Sequence, residues 1–337
     1  MDKQKIRIID TILRDGSHAV SHSFTEDDVR RIAAGLDDAG VDTIEISHGD
    51  GIGGSSYQYG FSTVNEISLI KAASEVIKRT KIAVLLIPGI GTIEDLEEAV
   101  HAGAKTVRVA THVTEADIAE QHIRYCKSAG LEAIGFLMMS HMVETPKIVE
   151  QAKLFESYGA DMVLVADSAG AMVPSQVFER IKAVREAVSI PVAHHAHNNL
   201  GLAIGNTLAA IEAGATVVDA TLKGLGAGAG NTQLEVLNAV LLKMGFETGI
   251  DLYKIMDVAD DIVGPRMARP QVINRESLSI GYAGTYGSFL LHAISAAENF
   301  QVDARDILIE MGHRRTVGGQ EDMIIDVAYE LSRKKRG

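Results

Sequence analysis

The chain has 337 residues, of which 46% are hydrophobic and 23% are charged; this balance is typical of a soluble globular enzyme. Its formal net charge of -13 argues against a nucleic-acid-binding surface. The single cysteine, Cys126, excludes both a disulfide framework and a cysteine-rich zinc site, and favours a reducing cytoplasm. No apolar stretch reaches the roughly 20 residues that span a bilayer, and no signal peptide is expected, since the first residues lead directly into a strand-like run.

Eight short segments rich in Val and Ile recur along the chain, each followed by a helical pattern. Such segments are typical of parallel strands that are buried on both faces. The strands are predicted at residues 6–13, 43–48, 82–88, 106–112, 133–140, 162–168, 190–197 and 217–224. Amphipathic helical segments are predicted at residues 26–39, 68–79, 93–102, 116–129, 146–158 and 176–188.

Glycine recurs where these helices should end. Four tetrapeptides, beginning at residues 39, 102, 158 and 213, place Gly second, where a left-handed helix C-cap belongs. Eight strand–helix units in about 245 residues predict an α/β fold of the (β/α)8 TIM barrel type. A doubly wound open sheet is the alternative, and it is less favoured because no glycine-rich dinucleotide turn follows the first strand.

The pattern of strands ends near residue 265. We expect a barrel over residues 1–265 that carries the functional site, a linker at 266–270, and a C-terminal helical extension within the second unit, residues 266–337. The basic residues 333–336 are expected to form a solvated, frayed terminus.

The most informative motif is His195-Ala-His197, at the end of the seventh predicted strand. Side chains two residues apart on a strand point to the same face, and active sites of barrels lie at the C-terminal ends of the strands. Asp15 occupies the matching end of the first predicted strand. One carboxylate and two imidazoles suit a divalent transition metal and leave positions open for water or substrate. The alternative for the two histidines is a hydrogen-bonded structural pair.

Two further residues beside Asp15 carry chemistry. Arg14 could stabilise an oxyanion or enolate that forms next to a metal; its alternative is a salt bridge to an acid of the second strand, such as Glu45. His18 could act as a general acid or base near neutral pH, and its alternative is a surface histidine.

Several other residues near strand ends are assigned structural roles. The glycine-rich run 224–231 lacks the spacing of a phosphate-binding loop, so we expect close backbone packing there, with Asn231 as a polar contact. Met138 and Met139 are predicted to fill the core. Three histidines at strand ends are expected to be structural, although they could also line the pocket; they are His48, His112 and His141.

The segment Asp10-Thr-Ile-Leu-Arg-Asp-Gly-Ser-His18 resembles the opening motif of the metal-dependent aldolases and Claisen-type synthases of the hydroxymethylglutaryl-CoA lyase superfamily. The His-x-His motif belongs to the same signature. Within that superfamily the chain resembles the 4-hydroxy-2-oxovalerate (4-hydroxy-2-ketovalerate) aldolase family nearly from end to end. The segments that carry the likeness lie at 48–51, 89–91, 108–117, 135–141, 281–286 and 312–323.

The resemblance implies a class II pyruvate aldolase that cleaves 4-hydroxy-2-oxopentanoate, or a close homologue, to pyruvate and a short aldehyde such as acetaldehyde, through a pyruvate enolate. It implies a divalent metal, usually Mn²⁺ with Co²⁺ or Mg²⁺ as alternatives, bound by Asp15, His195 and His197. His18 would be the catalytic base, and Arg14 would stabilise the enolate. Substrate would contact Arg14, Asp15, Ser168, His195 and Tyr286, the last of these also catalytic.

The resemblance also implies a partner, an acylating acetaldehyde dehydrogenase that receives the aldehyde by substrate channelling. Gly318, Gly319 and Gln320 match the segment near the passage to that partner, and the helical unit would bind it and act as an active-site lid. The setting would be the catabolism of aromatic hydrocarbons in the cytoplasm, and a homo-oligomer is compatible with the sequence.

Two other functions share part of this pattern. An acyl-CoA-dependent Claisen synthase of the same superfamily would need a CoA site and commonly a larger extension than the 72 residues of the second unit, 266–337. A non-catalytic metal-binding scaffold subunit would not need Arg14 and His18 together.

Overall fold

The computed structural model describes residues 4–336 and shows a closed barrel of eight parallel strands, ordered β1 to β8 with β8 paired to β1. The strands are β1 (Arg7–Asp10), β2 (Thr43–Glu45), β3 (Lys81–Leu86), β4 (Thr106–His112), β5 (Glu132–Met138), β6 (Met162–Asp167), β7 (Val192–Ala196) and β8 (Val217–Ala220). The predicted (β/α)8 barrel is confirmed, and the doubly wound sheet is excluded by the closure.

Helices alternate with the strands and then continue beyond the barrel. They are α1 (Glu26–Ala39), α2 (Glu66–Ser74), α3 (Ile93–Ala102), α4 (Glu120–Ser128), α5 (Thr145–Tyr158), α6 (Pro174–Ala187), α7 (Ala203–Glu212), α8 (Leu234–Met244), α9 (Leu252–Asp257), α10 (Arg275–Ala283), α11 (Phe289–Phe300), α12 (Ala304–His313) and α13 (Met323–Arg336). Local sequence explains their ends: Thr25 and Asp28 form a capping box at the start of α1, and Gly40, with φ of 90°, ends it in the left-handed region.

Most predicted strands and some predicted helices extend beyond the observed elements, and in two cases the structure shows why. The first strand ends at Asp10 and not at residue 13, because the Asp10 carboxylate accepts hydrogen bonds from the backbone amides of Ile12 (2.9 Å) and Leu222 (3.2 Å). Helix α2 ends at Ser74 and not at residue 79. There the carboxylate of Asp37, in α1, accepts hydrogen bonds from the backbone amides of Arg79 and Thr80, each at 2.8 Å. In both places a carboxylate accepts a hydrogen bond from an amide, that of Ile12 or of Arg79, which the prediction places inside the regular element.

The core is aliphatic, as the composition predicts. The barrel interior is filled by small and branched side chains together with one aromatic ring, that of Phe136. A larger layer between the strands and the surrounding helices contains mainly Ile, Val, Leu and Ala. This packing leaves the C-terminal ends of the strands free to carry polar groups.

Helices α10 to α13 have a core of their own, built around Ile280, Phe289, Leu308 and Met311, so the helical extension is confirmed. The basic residues 333–335 are exposed, as expected, and lie in the last turn of α13, which continues to Arg336. Within residues 4–336, no helix combines the length and the apolar composition that a membrane crossing requires.

Candidate active site

A cleft of about 580 Å³, which includes space open to solvent, lies at the C-terminal mouth of the barrel. Its floor and walls carry side chains from the strand ends and from the helical extension. Every predicted site residue lines it, namely Arg14, Asp15, His18, Ser168, His195, His197 and Tyr286. The residues predicted from strand ends and those implied by the family resemblance therefore line one cleft.

Asp15, His195 and His197 bring three donor groups together. Oδ2 of Asp15 lies 3.7 Å from Nε2 of His197 and 3.9 Å from Nε2 of His195, and the two Nε2 atoms are 3.2 Å apart. His195 belongs to β7, while Asp15 begins the 3-10 helix Asp15–Val20 that follows β1. All three side chains are buried, so the donors converge in a site that is shielded from solvent.

The hydrogen bond of His195 leaves its second ring nitrogen facing the other donors. Nδ1 of His195 bonds to Oδ2 of Asp219 at 2.8 Å; because an ionised carboxylate only accepts, Nδ1 is the donor, and in the neutral imidazole Nε2 carries the lone pair. Nε2 of His197 lies 3.2 Å from Nε2 of His195. Two imidazole nitrogens and a carboxylate oxygen therefore face one another. This donor set fits a divalent metal, with Asp219 as the carboxylate that orients one ligand.

The charge states of the donors agree with that role. Burial acts to raise the pKa of Asp15, but the neighbouring His197, Arg14, His195 and His18 outweigh it and hold that pKa well below its ordinary value. Burial lowers the pKa of His197 to about 4. Near neutral pH, Asp15 is therefore anionic and His197 is neutral, which are the forms that bind a metal.

Arg14 has one guanidinium nitrogen without a partner. Its Nε donates to Oε2 of Glu45 at 2.7 Å, and its Nη1 lies 3.2 Å from Oδ1 of Asp15. The salt bridge to Glu45 that was the alternative role is thus present, and Arg14 nevertheless lines the cleft. Nη2 is buried without a hydrogen-bond partner. A buried, unpaired donor of this kind is costly unless a ligand oxygen satisfies it.

His18 lies at the edge of the same group. Its Nε2 is 3.9 Å from Oδ1 of Asp15, and 21% of its side chain is exposed. A side chain at Gly49 would collide with its ring, so the backbone of the loop after β2 packs directly against it. His18 is therefore a half-buried residue of the cleft and not the surface histidine of the alternative.

The helical extension supplies one wall of the cleft. Tyr286, between α10 and α11, directs its hydroxyl towards Sδ of Met138 at 3.6 Å, and burial raises its pKa above the ordinary value. Gly318 lies against the ring of Tyr286.

On the barrel side of the cleft, the hydroxyl of Ser168 accepts a hydrogen bond from the backbone amide of Met139 at 3.0 Å. Met139 is fully buried, as predicted, whereas Met138, the last residue of β5, packs against the barrel core and also lines the cleft.

The remaining predictions near the strand ends concern packing. Three histidines anchor loops through hydrogen bonds to Gly60, Thr114 and Gly284; they are His48, His112 and His141. The glycine-rich run packs closely, since a side chain at Gly230 would collide with the Gly224 carbonyl. Asn231 makes the expected polar contact, donating to Oδ2 of Asp15. The structural roles are confirmed.

Sequence reasoning missed two buried charges beneath the site. Arg108 of β4 forms ion pairs with Asp219 of β8 and, at 2.9 Å, with Oε2 of Glu45 of β2. Burial acts to raise the pKa of Asp219, but the charge of Arg108 and the bond to His195 lower it. The available signal was a charged residue inside an otherwise apolar strand, as in Val107-Arg108-Val109.

Comparisons with known proteins agree with this architecture. Residues 5–262 match the HMGL-like family model, and residues 271–333 match the DmpG-like communication domain. The 4-hydroxy-2-oxovalerate aldolase of Carboxydothermus hydrogenoformans is 68% identical over 99% of both chains. That of Moorella thermoacetica is 61% identical over the full length of both.

A solved structure shows the same fold. The carboxyl transferase domain of Rhizobium etli pyruvate carboxylase superposes with a TM-score of 0.84 at 18% identity, covering 99% of this chain and 61% of that one. The relatives identify the chain as a lyase, which excludes the non-catalytic scaffold. The chain belongs to the 4-hydroxy-2-oxovalerate aldolase family, within the HMGL-like barrels.

Proposed function

We propose that this chain is a divalent-metal-dependent class II pyruvate aldolase. It cleaves 4-hydroxy-2-oxopentanoate, or a close homologue, to pyruvate and acetaldehyde or another short aldehyde. The observation that carries the proposal is the convergence of Asp15, His195 and His197 beside the unpartnered Nη2 of Arg14. A 2-oxo acid presents a carboxylate and a ketone oxygen side by side, and this site offers a cation position and a guanidinium side by side.

Asp15, His195 and His197 would hold the metal. We propose Mn²⁺, with Co²⁺ or Mg²⁺ as substitutes; when bound, it would supply Lewis-acid polarisation of the oxygens of the 2-oxo acid. Asp219 keeps Nε2 of His195 directed at the cation position through its bond to Nδ1.

Arg14 and His18 carry the chemical step. His18, directly or through a water, takes the proton of the 4-hydroxyl group. The C3–C4 bond breaks, the 4-carbon leaves as the aldehyde, and the bonding electrons remain on pyruvate as its enolate. The fixed charge of Arg14, whose Nη2 has no other partner, stabilises the enolate oxygen. Protonation at C3 then gives pyruvate, while Ser168 and Tyr286 contact and orient the substrate.

We propose that the chain divides near residue 265, with the helical unit 266–337 acting as a lid over the barrel and as the partner-binding unit. Its contribution of Tyr286 to the cleft wall supports the first role, and its match to a communication domain supports the second. The proposed partner is an acylating acetaldehyde dehydrogenase, which takes the aldehyde past Gly318, Gly319 and Gln320. The proposed setting is the cytoplasm, in the catabolism of aromatic hydrocarbons.

The test is a turnover assay of the isolated chain after removal of metal and reloading with Mn²⁺. Pyruvate release is measured over a series of 4-hydroxy-2-oxo acids of increasing chain length. Metal-dependent release of pyruvate, fastest with a short chain, is expected. A second arm supplies pyruvate with acetyl-CoA, and condensation there without cleavage in the first arm would identify an acyl-CoA-dependent synthase and overturn the proposal.

A further inference from the structure

Arg108 is a fully buried cation in the middle of β4. Its guanidinium lies over the ring of Phe136, 4.9 Å from the ring centre, inside a barrel whose interior is otherwise mainly aliphatic. Burial of a charge in such surroundings is costly unless the charge is paired, and well-packed apolar residues often stabilise a fold as well as a buried ion pair does. The core alone therefore gives no reason for this residue.

The partners of Arg108 give a reason. Nη2 donates to Oδ2 of Asp219, and Nη1 lies 2.9 Å from Oε2 of Glu45. Each carboxylate also binds one group of the site above. Asp219 accepts from Nδ1 of His195 at 2.8 Å, and Glu45 accepts from Nε of Arg14 at 2.7 Å.

We propose that Arg108 is a positioning residue for catalysis: it clamps Glu45 and Asp219, and through them fixes both the guanidinium of Arg14 and the imidazole of His195. The inference rests on the proposed function, since it assigns Arg108 a role towards the metal donors and the enolate site. Arg108 itself lies below the cleft and is not among the residues that line it.

The shape of the guanidinium suits this clamp. The planar fork of Arg holds one nitrogen against each carboxylate in a fixed geometry, Nη2 as a hydrogen-bond donor to Asp219 and Nη1 in ion-pair contact with Glu45. A Lys ammonium is a single point charge on a flexible stem. One fork thus sets the spacing between the two carboxylates and, with it, the spacing between Arg14 and His195.

Arg108 also offsets part of the negative charge of Glu45 and Asp219. Among Arg14, Arg108, Glu45, Asp219 and Asp15, the formal charges leave one unbalanced negative charge. A divalent cation together with a 2-oxo acid anion adds one positive charge, so these five residues and the two bound groups together are neutral. Loss of Arg108 would leave Glu45 and Asp219 buried without a common counter-ion, and each would have to move towards another partner.

The chain offers a matched control in Arg7. Like Arg108, it pairs with two carboxylates, Asp42 and Glu132, but it lies at the first residue of β1, at the opposite end of the barrel from the cleft. Its removal breaks a comparable ion-pair network without touching the site.

The experiment compares Arg108→Met, Arg108→Lys and Arg7→Met with the wild-type full chain. Three quantities are measured: the Kd for Mn²⁺ alone, by titration with detection of free Mn²⁺; kcat and KM separately, at saturating Mn²⁺; and the Tm. For Arg108→Met, the Kd for Mn²⁺ should rise by about 10- to 100-fold, and kcat should fall more than KM changes. Arg108→Lys should lie between Arg108→Met and wild type, while Arg7→Met should lower only the Tm.

Wild-type Kd and kcat in both Arg108 variants would overturn the inference, as would equal losses in Arg7→Met. If Arg108→Met does not fold, Arg108→Lys decides: a raised Kd supports the clamp, and a wild-type Kd with wild-type kcat overturns it. Failure of the wild-type chain itself to bind Mn²⁺ would overturn the proposed function, and this inference with it.

Discussion

Nδ1 of His195 lies 2.8 Å from Oδ2 of Asp219. The carboxylate belongs to β8 and the imidazole to the neighbouring β7, so the pairing of two adjacent strands sets the orientation of the ring. Because Nδ1 donates, Nε2 is left free to bind a cation at the mouth of the barrel.

Asp219→Asn should disturb this arrangement while preserving the size of the side chain. The neutral amide binds Nδ1 more weakly and can also donate, so the Nε2 lone pair is no longer enforced. We expect the Kd for Mn²⁺ to rise by about 10- to 100-fold. Nitrogen chemical shifts of His195 in the metal-free protein should report a mixture of tautomers. Asp161→Asn is the control, since Asp161 binds Lys127 and the Ala133 amide away from the cleft; an equal loss of Mn²⁺ affinity there would contradict the assignment.

Arg14→Ala should lower kcat by about 10²–10³, the usual loss when one preorganised donor to an oxyanion is removed. Asp15, His195 and His197, the proposed metal ligands, are unchanged, so the Kd for Mn²⁺ should change much less than kcat. Steady-state kinetics and a Mn²⁺ titration of the same preparation measure both quantities. Near-normal turnover with intact Mn²⁺ binding would show that Arg14 does not stabilise the enolate.

Gly284→Ala should change the cleft indirectly, since Gly284 does not line it but lies two residues from Tyr286, which does. Gly284 has φ of 67°, and an added Cβ would lie 2.9 Å from Nε2 of His141, whose ring bonds to the Gly284 carbonyl. The strain should cost about 1–2 kcal/mol of unfolding free energy, and displacement of the nearby Tyr286 should lower kcat/KM by about 10- to 100-fold. Unfolding by denaturant and steady-state kinetics measure the two effects.

Gly245→Ala is the control for that experiment. Gly245 has φ of 90° and no atom within 4 Å of an added Cβ, so it should show the backbone strain alone. Stability should fall by a similar amount, with kcat/KM unchanged. A wild-type kcat/KM for Gly284→Ala would mean that the contact with His141 does not position Tyr286.

Glu132 should make stability depend on acid pH. Burial acts to raise its pKa, but bonds to Arg7 and Thr106 prevail and lower it from 4.5 to about 2. A depressed carboxyl pKa stabilises the fold above pH 4.5, and this contribution is lost as the pH falls towards 2. Glu132→Gln should therefore lower the free energy of unfolding by on the order of 2–3 kcal/mol at pH 7. The difference in unfolding free energy between the variant and wild type should shrink as the pH falls from 4.5 to 2. Denaturant unfolding at several pH values measures it, with the exposed Glu150→Gln as the control; a difference that does not change with pH would contradict the assignment.

The barrel and the grouping of Asp15, His195 and His197 could be predicted because their signals are local. Strand runs, glycine caps and the spacing of His195 and His197 all lie within short windows of sequence. The contact between Asp219 and Arg108 joins residues 111 positions apart, and it exists only because barrel closure directs β4 and β8 towards the same interior. Local periodicity does not show which distant strands place their side chains at the same height inside the barrel.

Strand ends were the least predictable local feature. The first predicted strand continued to residue 13 because the segment remains apolar, yet the carboxylate of Asp10 stops it by binding the amide of Ile12. The second role of Met138 was missed for a related reason: hydrophobicity predicts burial but does not say whether a side chain packed against the core also lines a cleft.

The contact between Tyr286 and Met138 joins residues 148 positions apart, one in the helical extension and one in the barrel. Neither stretch of chain can therefore evolve its half of the cleft alone: a change in the packing of α10 or α11 alters the shape of the cleft. Substitutions that adapt the surface of the extension to a partner protein would carry a second effect, a change in the space that the cleft offers to a ligand.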